Sequence, residues 1–531
     1  MLYSFNLKGS MPFIIRTLIF ISFFLVGYSL IGQNILISDK NNPNEPAIMM
    51  NPKNPAQMIA ASNINNYYIS NDTGRTWSIH KQNSSYGVWG DPVISVDTSG
   101  HFYYFHLSNP SNGNWIDRIV CQKTIDQGKS WTDGTFTGLN GTKAQDKHWC
   151  AIDRTNNNMY LTWTQFDEYG SEDKNKKSNI LFSKSMDQGT SWSSPVKINQ
   201  IDGDCIDSDD TVEGAVPAVG PEGQIYVAWA GPNGLVFNKS TDQGATWLDT
   251  EIKIDPMPTG WDYAIPGIYR ANGLPVTACD LGNGPNKGTI YVNWSDQRNG
   301  GDDTDIWLSK STDQGKTWSA PIRVNDDPAG KQQFFTWMTI DQTTGFLYFV
   351  FYDRRNHADE STDVFLAISK DGGETFLNRK ISESPFVPNE NVFFGDYTNI
   401  VAHNNIVRPI WTRLDKGQLS ILTDITHIEK IVPIKEFNGD ESVENEISNF
   451  PNPSGELSYV SFKLKKSTLV SIEIKNLNGQ VIKSIINNEI RPYGSYIEPI
   501  DLKNFNLQDG TYLIILSLDG KIKTERHVVI K

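Results

Sequence analysis

The sequence predicts an all-β fold built from a repeated unit of short strands. Along residues 34–435, short apolar strands alternate with turn residues, and no stretch has the apolar spacing of an amphipathic helix. An eight-residue motif also recurs six times, at intervals of roughly 60 residues, which indicates one repeating supersecondary unit. The six copies are Ser70–Trp77, Thr124–Trp131, Ser185–Trp192, Ser240–Trp247, Ser311–Trp318 and Ser369–Phe376.

Each copy of the motif has the chemistry of a tight turn. In the fifth copy, the Asp313 carboxylate can accept hydrogen bonds from backbone amides two and three residues on, and Gly315 can take a positive φ. The terminal Trp318 would then pack between neighbouring sheets. Because the motif is repeated around the fold, we expect its aspartates to be structural rather than catalytic.

The motif resembles the Asp box, or BNR repeat, of the sialidase-like β-propellers. This resemblance implies a propeller of four-stranded blades, a fold shared by sialidases, other glycosidases and non-catalytic binding proteins. Seven segments follow the same order of strands, and the seventh, residues 397–424, lacks the motif. We therefore expect seven blades, with six, as in the sialidases, as the alternative. The strand Ile35–Ile37 would close the ring by joining the last blade.

The N-terminus has the layout of a secretory signal peptide. Lys8 and Arg16 precede an apolar run, Thr17–Ile31, that is shorter than a membrane span. An uncleaved anchor is the alternative. The predicted organisation is a signal peptide over residues 1–33, a propeller over residues 34–435 and an acidic linker over residues 436–449.

Residues 450–531 form a separate strand-rich module, predicted to be a small β-sandwich. It opens with Pro451-Asn-Pro453, has an Asn478-Gly479 turn between strands and a Gly510-Thr-Tyr512 strand, and ends in a basic-flanked strand. These features resemble the C-terminal sorting domain of the type IX secretion system. The resemblance implies handling by that machinery, removal of the module, and a mature protein that is secreted or held at the outer cell surface without a transmembrane segment. A small binding sandwich is the alternative.

The composition narrows the classes of partner and cofactor. A net charge of −14 and a pI near 5.1 argue against nucleic acid or an anionic membrane as the main partner. The four cysteines lack zinc-site spacing, so either disulfides or buried free thiols are expected. Two acidic loops, residues 202–210 and 302–305, could hold calcium, with solvated loops as the alternative; no other cofactor is expected.

Candidate site residues lie in loops predicted to face away from the repeated turns, around the mouth of the central channel. Acids and a histidine there could act in acid and base catalysis, arginines could grip a carboxylate or sulfate, and tryptophans could stack on sugars. The candidate catalytic residues are Asp146, His148, Glu213, Asp296 and Asp353. The candidate ligand-binding residues are Trp89, Trp149, Arg270, Arg298, Arg355 and Arg413.

The match to the sialidase pattern is incomplete. Sialidases place the first of three substrate-binding arginines on the first blade, but here the corresponding stretch, Asn44–Met50, contains no arginine. From the resemblance in fold we expect a sialidase-like glycoside hydrolase that uses paired carboxylates on an extracellular glycan. A non-catalytic carbohydrate- or protein-binding propeller and a polysaccharide lyase are the alternatives.

Overall fold

The computed structural model describes residues 33–425, 447–450, 457–464, 466–491, 494–501, 505 and 507–529. Residues 1–32 of the predicted signal peptide and most of the predicted linker lie outside these residues. Strands, turns and bends make up the described part, which contains no helix, so the all-β prediction is confirmed. None of the described residues forms a helix long and apolar enough to cross a membrane. The chain divides into two compact units, residues 1–431 and 432–531.

The first unit consists of antiparallel sheets in which sequential strands are neighbours. We call each four-stranded sheet a blade and number the blades along the chain. Blade one contains β2 (Ala47–Met50), β3 (Met58–Ser62), β4 (Asn66–Ser70) and β5 (Ser78–Lys81), and blade two contains β6 (Val93–Val96), β7 (Phe102–Leu107), β8 (Ile119–Thr124) and β9 (Thr135–Thr137). Blade three contains β10 (Ala144–Ile152), β11 (Met159–Phe166), β12 (Ser178–Ser185) and β13 (Val196–Lys197). Blade four contains β14 (Glu213–Val219), β15 (Ile225–Ala230), β16 (Leu235–Ser240) and β17 (Ile252–Asp255).

A two-stranded hairpin, β18 (Asp262–Tyr263) and β19 (Ala271–Asn272), separates blade four from blade five. Blade five contains β20 (Val276–Cys279), β21 (Ile290–Asp296), β22 (Asp305–Ser311) and β23 (Ile322–Arg323). Blade six contains β24 (Gln333–Asp341), β25 (Phe346–Asp353), β26 (Asp363–Ser369) and β27 (Leu377–Lys380). Blade seven contains β28 (Asn399–His403), β29 (Ile406–Asp415), β30 (Gln418–Asp424) and β1 (Asn34–Ser38). The seventh blade pairs β1 with β30, so the predicted closure of the last unit by Ile35–Ile37 is confirmed.

The first strands of the blades contact one another in succession, and β28 contacts β2, which closes a ring. Residues 33–425 thus contain seven four-stranded sheets around one centre, and the predicted propeller is present. The second strands are almost entirely buried apolar runs: β7 reads Phe-Tyr-Tyr-Phe-His-Leu, and all six residues are buried. Such strands are packed on both faces, since each blade lies between two others.

The repeated motifs form the predicted turns between third and fourth strands. In the fifth copy, Oδ1 of Asp313 accepts hydrogen bonds from the backbone nitrogens of Lys316 and Thr317, both at 3.0 Å. The amide of Gly315 instead donates to the Ser311 hydroxyl at 2.8 Å. The aspartate therefore bonds amides three and four residues on, one residue later than predicted. Trp318 packs edge-to-face on Phe237 of the preceding blade, with ring centroids 5.1 Å apart, as expected.

The second unit contains two sheets with their own apolar core. One sheet joins β31 (Ile447–Phe450), β32 (Leu457–Leu464) and β35 (Gly494–Asp501). The other has the order β34 (Val481–Arg491), β33 (Thr468–Lys475), β36 (Gly510–Leu518) and β37 (Lys521–Val529). Buried side chains from both sheets, including Phe462, Ile474 and Ile514, form one cluster.

All four cysteines are free thiols, so the second of the two cysteine alternatives holds in this structure. Cys121, Cys205 and Cys279 are buried, and Cys150 is half-buried. Burial raises the pKa of the Cys150 thiol to about 12, which keeps the thiol protonated and unreactive.

Candidate functional site

Local backbone distortions at the beginnings of the inner strands direct polar side chains toward the centre of the ring. In blades three, four and six the pairing with the second strand shifts register, between Asp146 and Trp149, between Glu213 and Val216, and between Phe334 and Trp337. A residue with positive φ lies inside each shift, for example Lys147 with φ 49°. Bulges of this kind change the direction of a side chain within an otherwise regular strand.

Blades one and two show the same feature just before their inner strands, where Glu45 and Asp91 have φ values of 50° and 49°. In blade four the corresponding residue is Gly214, with φ 78°. A Cβ at Gly214 would lie 2.8 Å from Cβ of Leu274, so this bulge requires a glycine. The distorted residues of five blades therefore meet near the channel.

Lys147 is the centre of the resulting charge cluster. Its Nζ lies 2.5 Å from Oδ2 of Asp396, 3.5 Å from Oδ2 of Asp91 and 3.9 Å from Oε1 of Glu45. Four blades thus contribute to one buried ion group. Asn63 connects two of them, because its Nδ2 donates to Glu45 and its Oδ1 accepts from the Asp91 amide at 2.8 Å.

Arg270, on the hairpin between blades four and five, extends this cluster. Its Nε donates to Oδ1 of Asp396 at 2.7 Å, and its NH1 lies 3.4 Å from Oδ2 of Asp207. The same oxygen of Asp207 accepts a hydrogen bond of 2.6 Å from the Tyr169 hydroxyl. Asp207 is the more accessible of the two carboxylates, with 19% of its side chain exposed against 2% for Asp396.

A cleft opens beside these groups. It is lined by Lys147, Asp207, Glu213, Trp261, Asp262, Arg270, Ala271, Asn272, Leu274 and Asp396. A second cavity shares Lys147, Asn272, Leu274 and Asp396 and continues to Trp149, Trp337 and Tyr397. We call the first of these the acidic cleft.

Glu213 differs from the other acids of the cleft in having an unsatisfied oxygen. It is 1% exposed, and its Oε1 has no hydrogen-bond partner among the described residues. Burial raises the pKa of Glu213 well above its usual value, and the charges of Asp207 and Asp146 raise it further, against Lys147 and Arg270. The cleft therefore favours the protonated form of Glu213.

The pKa values of two neighbouring acids, Asp146 and Asp396, are shifted in opposite directions. Burial raises the pKa of Asp146 to about 7, with Lys147 opposing the shift and Asp91 and Asp207 adding to it. For Asp396, burial also acts upward, but Lys147 and Arg270 together outweigh it and hold the pKa of Asp396 well below its usual value. One cleft thus contains an acid with a raised pKa, Glu213, and an acid with a lowered pKa, Asp396, a division that acid and base catalysis uses.

His148 and Trp149, two predicted site residues beside Asp146, are both buried. His148 is 1% exposed, and burial lowers its pKa to about 4, so the ring is neutral at physiological pH. Trp149 is 7% exposed and packs against Trp337 and Tyr397, with ring centroids 4.3 and 5.2 Å apart. Trp149 lines the inner cavity rather than an open stacking surface.

The predicted aspartate and arginine pairs of blades five and six are ion pairs within their own loops. Arg298 donates from Nε to Asp296 at 2.9 Å and from NH2 to Asp255 at 2.7 Å. Arg355 donates from Nε to Asp353 at 2.8 Å and also contacts Asp326. Asp296 and Asp353 are fully buried, and neither residue lines the acidic cleft. These pairs brace loops and leave little donor capacity for a ligand.

Arg413 and Trp89 are more exposed. Arg413 donates to the backbone oxygen of Ser384 at 2.7 Å and of Pro385 at 3.1 Å, so it too holds a loop. Trp89 is 40% exposed and lies two residues before Asp91 of the charge cluster.

Aspartates of the two acidic loops accept hydrogen bonds from backbone amides of other segments. Asp209 accepts from the Asp262 amide at 2.8 Å, and Asp303 accepts from the Gly330 amide at 2.7 Å. Among the described residues, no group of three or more His, Cys, Asp or Glu side chains is arranged to hold a metal ion.

Sequence reasoning missed several residues of the cluster. Glu45, Lys147, Asp207, Asp396 and Tyr169 were not assigned to the site, although Lys147 stands inside the dense Asp146–Trp149 stretch and Asp207 inside an acidic loop. Their position in the repeat could have identified them. Each residue lies near the start of the first strand of a blade or in an irregular loop on the same face.

The fold and the cluster define a β-propeller with a buried acidic centre, followed by a separate C-terminal module. Residues 448–531 match the family model of the secretion system C-terminal sorting domain. The predicted sorting module is therefore confirmed, and the protein is exported to the outer cell surface or the medium. No curated protein has a sequence that matches this chain significantly.

Solved structures similar to this chain include propeller glycosidases. The NanB sialidase from Streptococcus pneumoniae is 10% identical over 70% of this chain and 83% of its own, with a TM-score of 0.42. The α-L-arabinofuranosidase Arb93A from Fusarium graminearum is 11% identical over 75% and 98%, with a TM-score of 0.42. A protein of unknown function from Dyadobacter fermentans is 11% identical over 74% and 97%, with a TM-score of 0.43.

Proposed function

We propose that the protein is an exported glycoside hydrolase whose acidic cleft cleaves a glycosidic bond with a pair of carboxyl groups. Glu213 is the general acid, which protonates the leaving oxygen. Asp207 is the second carboxyl group, which acts as nucleophile or activates water. The observation that carries the proposal is that two carboxyl groups line one cleft, a buried Glu213 with an unpartnered oxygen and an Asp207 held in place by Tyr169.

The surroundings fit these two roles. Burial in the cleft raises the pKa of Glu213, which favours the protonated form that a general acid requires. Tyr169 and Arg270 hold Asp207 from two sides, which fixes the direction of its carboxylate. Burial is the main cause of the raised pKa of Glu213, and among the neighbouring charges that of Asp207 contributes most.

The charge of the cleft favours a neutral or cationic sugar over an anionic one. Four carboxyl groups line it, those of Asp207, Glu213, Asp262 and Asp396, and the cations of its lining are Lys147 and Arg270, both already paired. Glu45 and Asp91 lie behind this lining, beside Lys147. The arginines expected to bind a carboxylate, Arg298 and Arg355, are held by other acids. A sialoside or uronate would therefore meet repulsion.

The test is product release by the full secreted protein from neutral, amino-sugar, sialic acid and uronic acid glycosides. We expect cleavage of neutral or amino-sugar substrates, and Glu213→Gln should lower kcat by roughly 100- to 10,000-fold. Activity of the wild type should fall as the pH rises through the raised pKa of Glu213.

Glu222→Gln is the matched control, since Glu222 is an exposed glutamate on the turn of the same blade. It should retain full activity. Full activity of correctly folded Glu213→Gln, or uronate cleavage with an unsaturated product, would reject the mechanism. Binding of a glycan with no hydrolysis would leave a non-catalytic propeller.

A further inference from the structure

We infer that a row of three aromatic side chains beside the acidic cleft binds a neutral glycan chain, so that the substrate is a polysaccharide rather than a terminal sugar on a short glycan. The residues are Trp89, Trp115 and Tyr169, which we call the aromatic track. The inference rests on the proposed function in one respect, that the cleft and the track take the same chain.

The track is a continuous set of ring contacts. The indoles of Trp89 and Trp115 meet edge-to-face with centroids 6.4 Å apart, and Trp115 meets Tyr169 with centroids 5.6 Å apart. Each step is comparable to the length of one pyranose unit. Successive sugars of one chain can therefore lie beside successive rings.

The outer part of the track is open to solvent. Trp89 is 40% exposed and Trp115 is 43% exposed, whereas the other tryptophans of the ring are buried or half-buried. Two touching, exposed indoles form an apolar surface that water solvates poorly. The C–H face of a sugar ring is apolar and its rim is polar, so a sugar can cover an indole while its hydroxyl groups stay hydrated.

The track joins the acidic cleft at its Tyr169 end and approaches the charge cluster at its Trp89 end. Trp89 lies two residues before Asp91, whose Oδ2 is 3.5 Å from Nζ of Lys147. At the other end, the hydroxyl of Tyr169 donates to Oδ2 of Asp207 at 2.6 Å. Tyr169 thus belongs to the track through its ring and to the cleft through its hydroxyl, and a chain bound at the cleft extends over the track.

The chemistry of the surroundings selects a neutral chain. The track carries no charge of its own, and it lies between Asp91 and Asp207, so a polyanion would be repelled at both ends. Its contribution to binding is apolar and should depend little on ionic strength.

The test measures binding by the full secreted protein carrying Glu213→Gln, which prevents cleavage of the probe. Affinity electrophoresis with soluble glucan, mannan, xylan and arabinan identifies the polymer that is bound. Calorimetry then compares the disaccharide and hexasaccharide of that polymer. We expect tighter binding of the hexasaccharide, and Trp115→Ala should raise its Kd roughly tenfold, with a smaller effect on the disaccharide.

Ile125→Ala is the control, because Ile125 is exposed on a turn between third and fourth strands, on the opposite face. It should keep the wild-type preference for the longer chain. Trp115→Phe should retain part of that preference, which separates loss of the ring from loss of fold.

Several results would overturn the inference: no polymer bound, equal affinity for both chain lengths, or an undiminished length preference in folded Trp89→Ala and Trp115→Ala proteins. A concentration-dependent dimer in sedimentation that Trp115→Ala abolishes would assign the track to self-association instead. Hydrolysis that does not depend on the tryptophans would overturn the track alone. Polymer binding through the tryptophans without hydrolysis in the wild type would remove the proposed function alone.

Discussion

The aspartates of the repeated turns and the acids of the central cleft are the same chemical groups in opposite conditions. Asp313 accepts from the Ser311 hydroxyl and two backbone amides at one oxygen and from the Thr317 hydroxyl at the other. These hydrogen bonds, led by that from Thr317, hold the pKa of Asp313 well below its usual value. Glu213, in contrast, is buried with a free oxygen and a raised pKa.

The difference separates structural acids from candidate catalytic ones. A carboxylate with all its acceptor sites filled stabilises the native chain and offers nothing to a substrate. A buried acid without a partner costs stability, so its presence points to a function outside the folding of the domain. Three measurements of the free energy of unfolding test this distinction between structural and catalytic acids.

The largest effect is expected for Lys147→Met. Removal of the ammonium group leaves Asp91 and Asp396 without their shared cation in a buried site, and loss of one partner from such a group costs about 3 to 5 kcal/mol. Urea denaturation of the variant measures the loss. Lys184→Met on the same blade is the control, because Lys184 makes one exposed hydrogen bond, and a change of about 0.5 kcal/mol or less is expected. Equal stability of the two variants would show that the cluster is solvated in solution.

A smaller effect is expected from pH at Asp146. Because its pKa is raised to about 7, the native state holds a proton that the unfolded state has released above its ordinary pKa. Its contribution to stability is therefore complete at low pH and is lost as the pH rises through about 7. Between about pH 5 and pH 7, the wild type should lose about 2 kcal/mol relative to Asp146→Asn. Parallel stability curves for the two proteins would contradict the raised pKa.

The smallest effect is expected for Asp313→Ala. The side chain is half-buried and its bonds are near solvent, so loss of the turn should cost about 1 kcal/mol. Glycan binding and hydrolysis should remain at wild-type level, because the turn lies on the face opposite the cleft. Unchanged thermal stability together with lost activity would overturn the structural role of the repeated aspartates.

The repeat made much of the fold predictable from sequence. An Asp and a Gly at fixed offsets define a turn whatever surrounds it, and six copies at similar intervals define the number and order of most strands. Closure by Ile35–Ile37 followed from the need to pair the last blade. The Pro451-Asn-Pro453 opening, with a few strand signals, was enough for the sorting module.

The site was less predictable because its contacts join distant parts of the chain. Lys147 meets Glu45, Asp91 and Asp396, which no local pattern relates to it. The positive φ of Lys147 arises from a bulge that alternation of apolar residues does not reveal. Arg298 looked available for a ligand because its partner Asp255, in the preceding blade, was not recognisable from sequence.

The pairing of β1 with β30 constrains the order in which the domain can be made. Asn34 is paired with Asp424, so the first strand of the propeller to be synthesised must wait for the last one. Until then the seventh blade has an open edge, and contacts of such long sequence separation form slowly. The ring can therefore close only after the chain has been made as far as β30, near the end of the propeller domain.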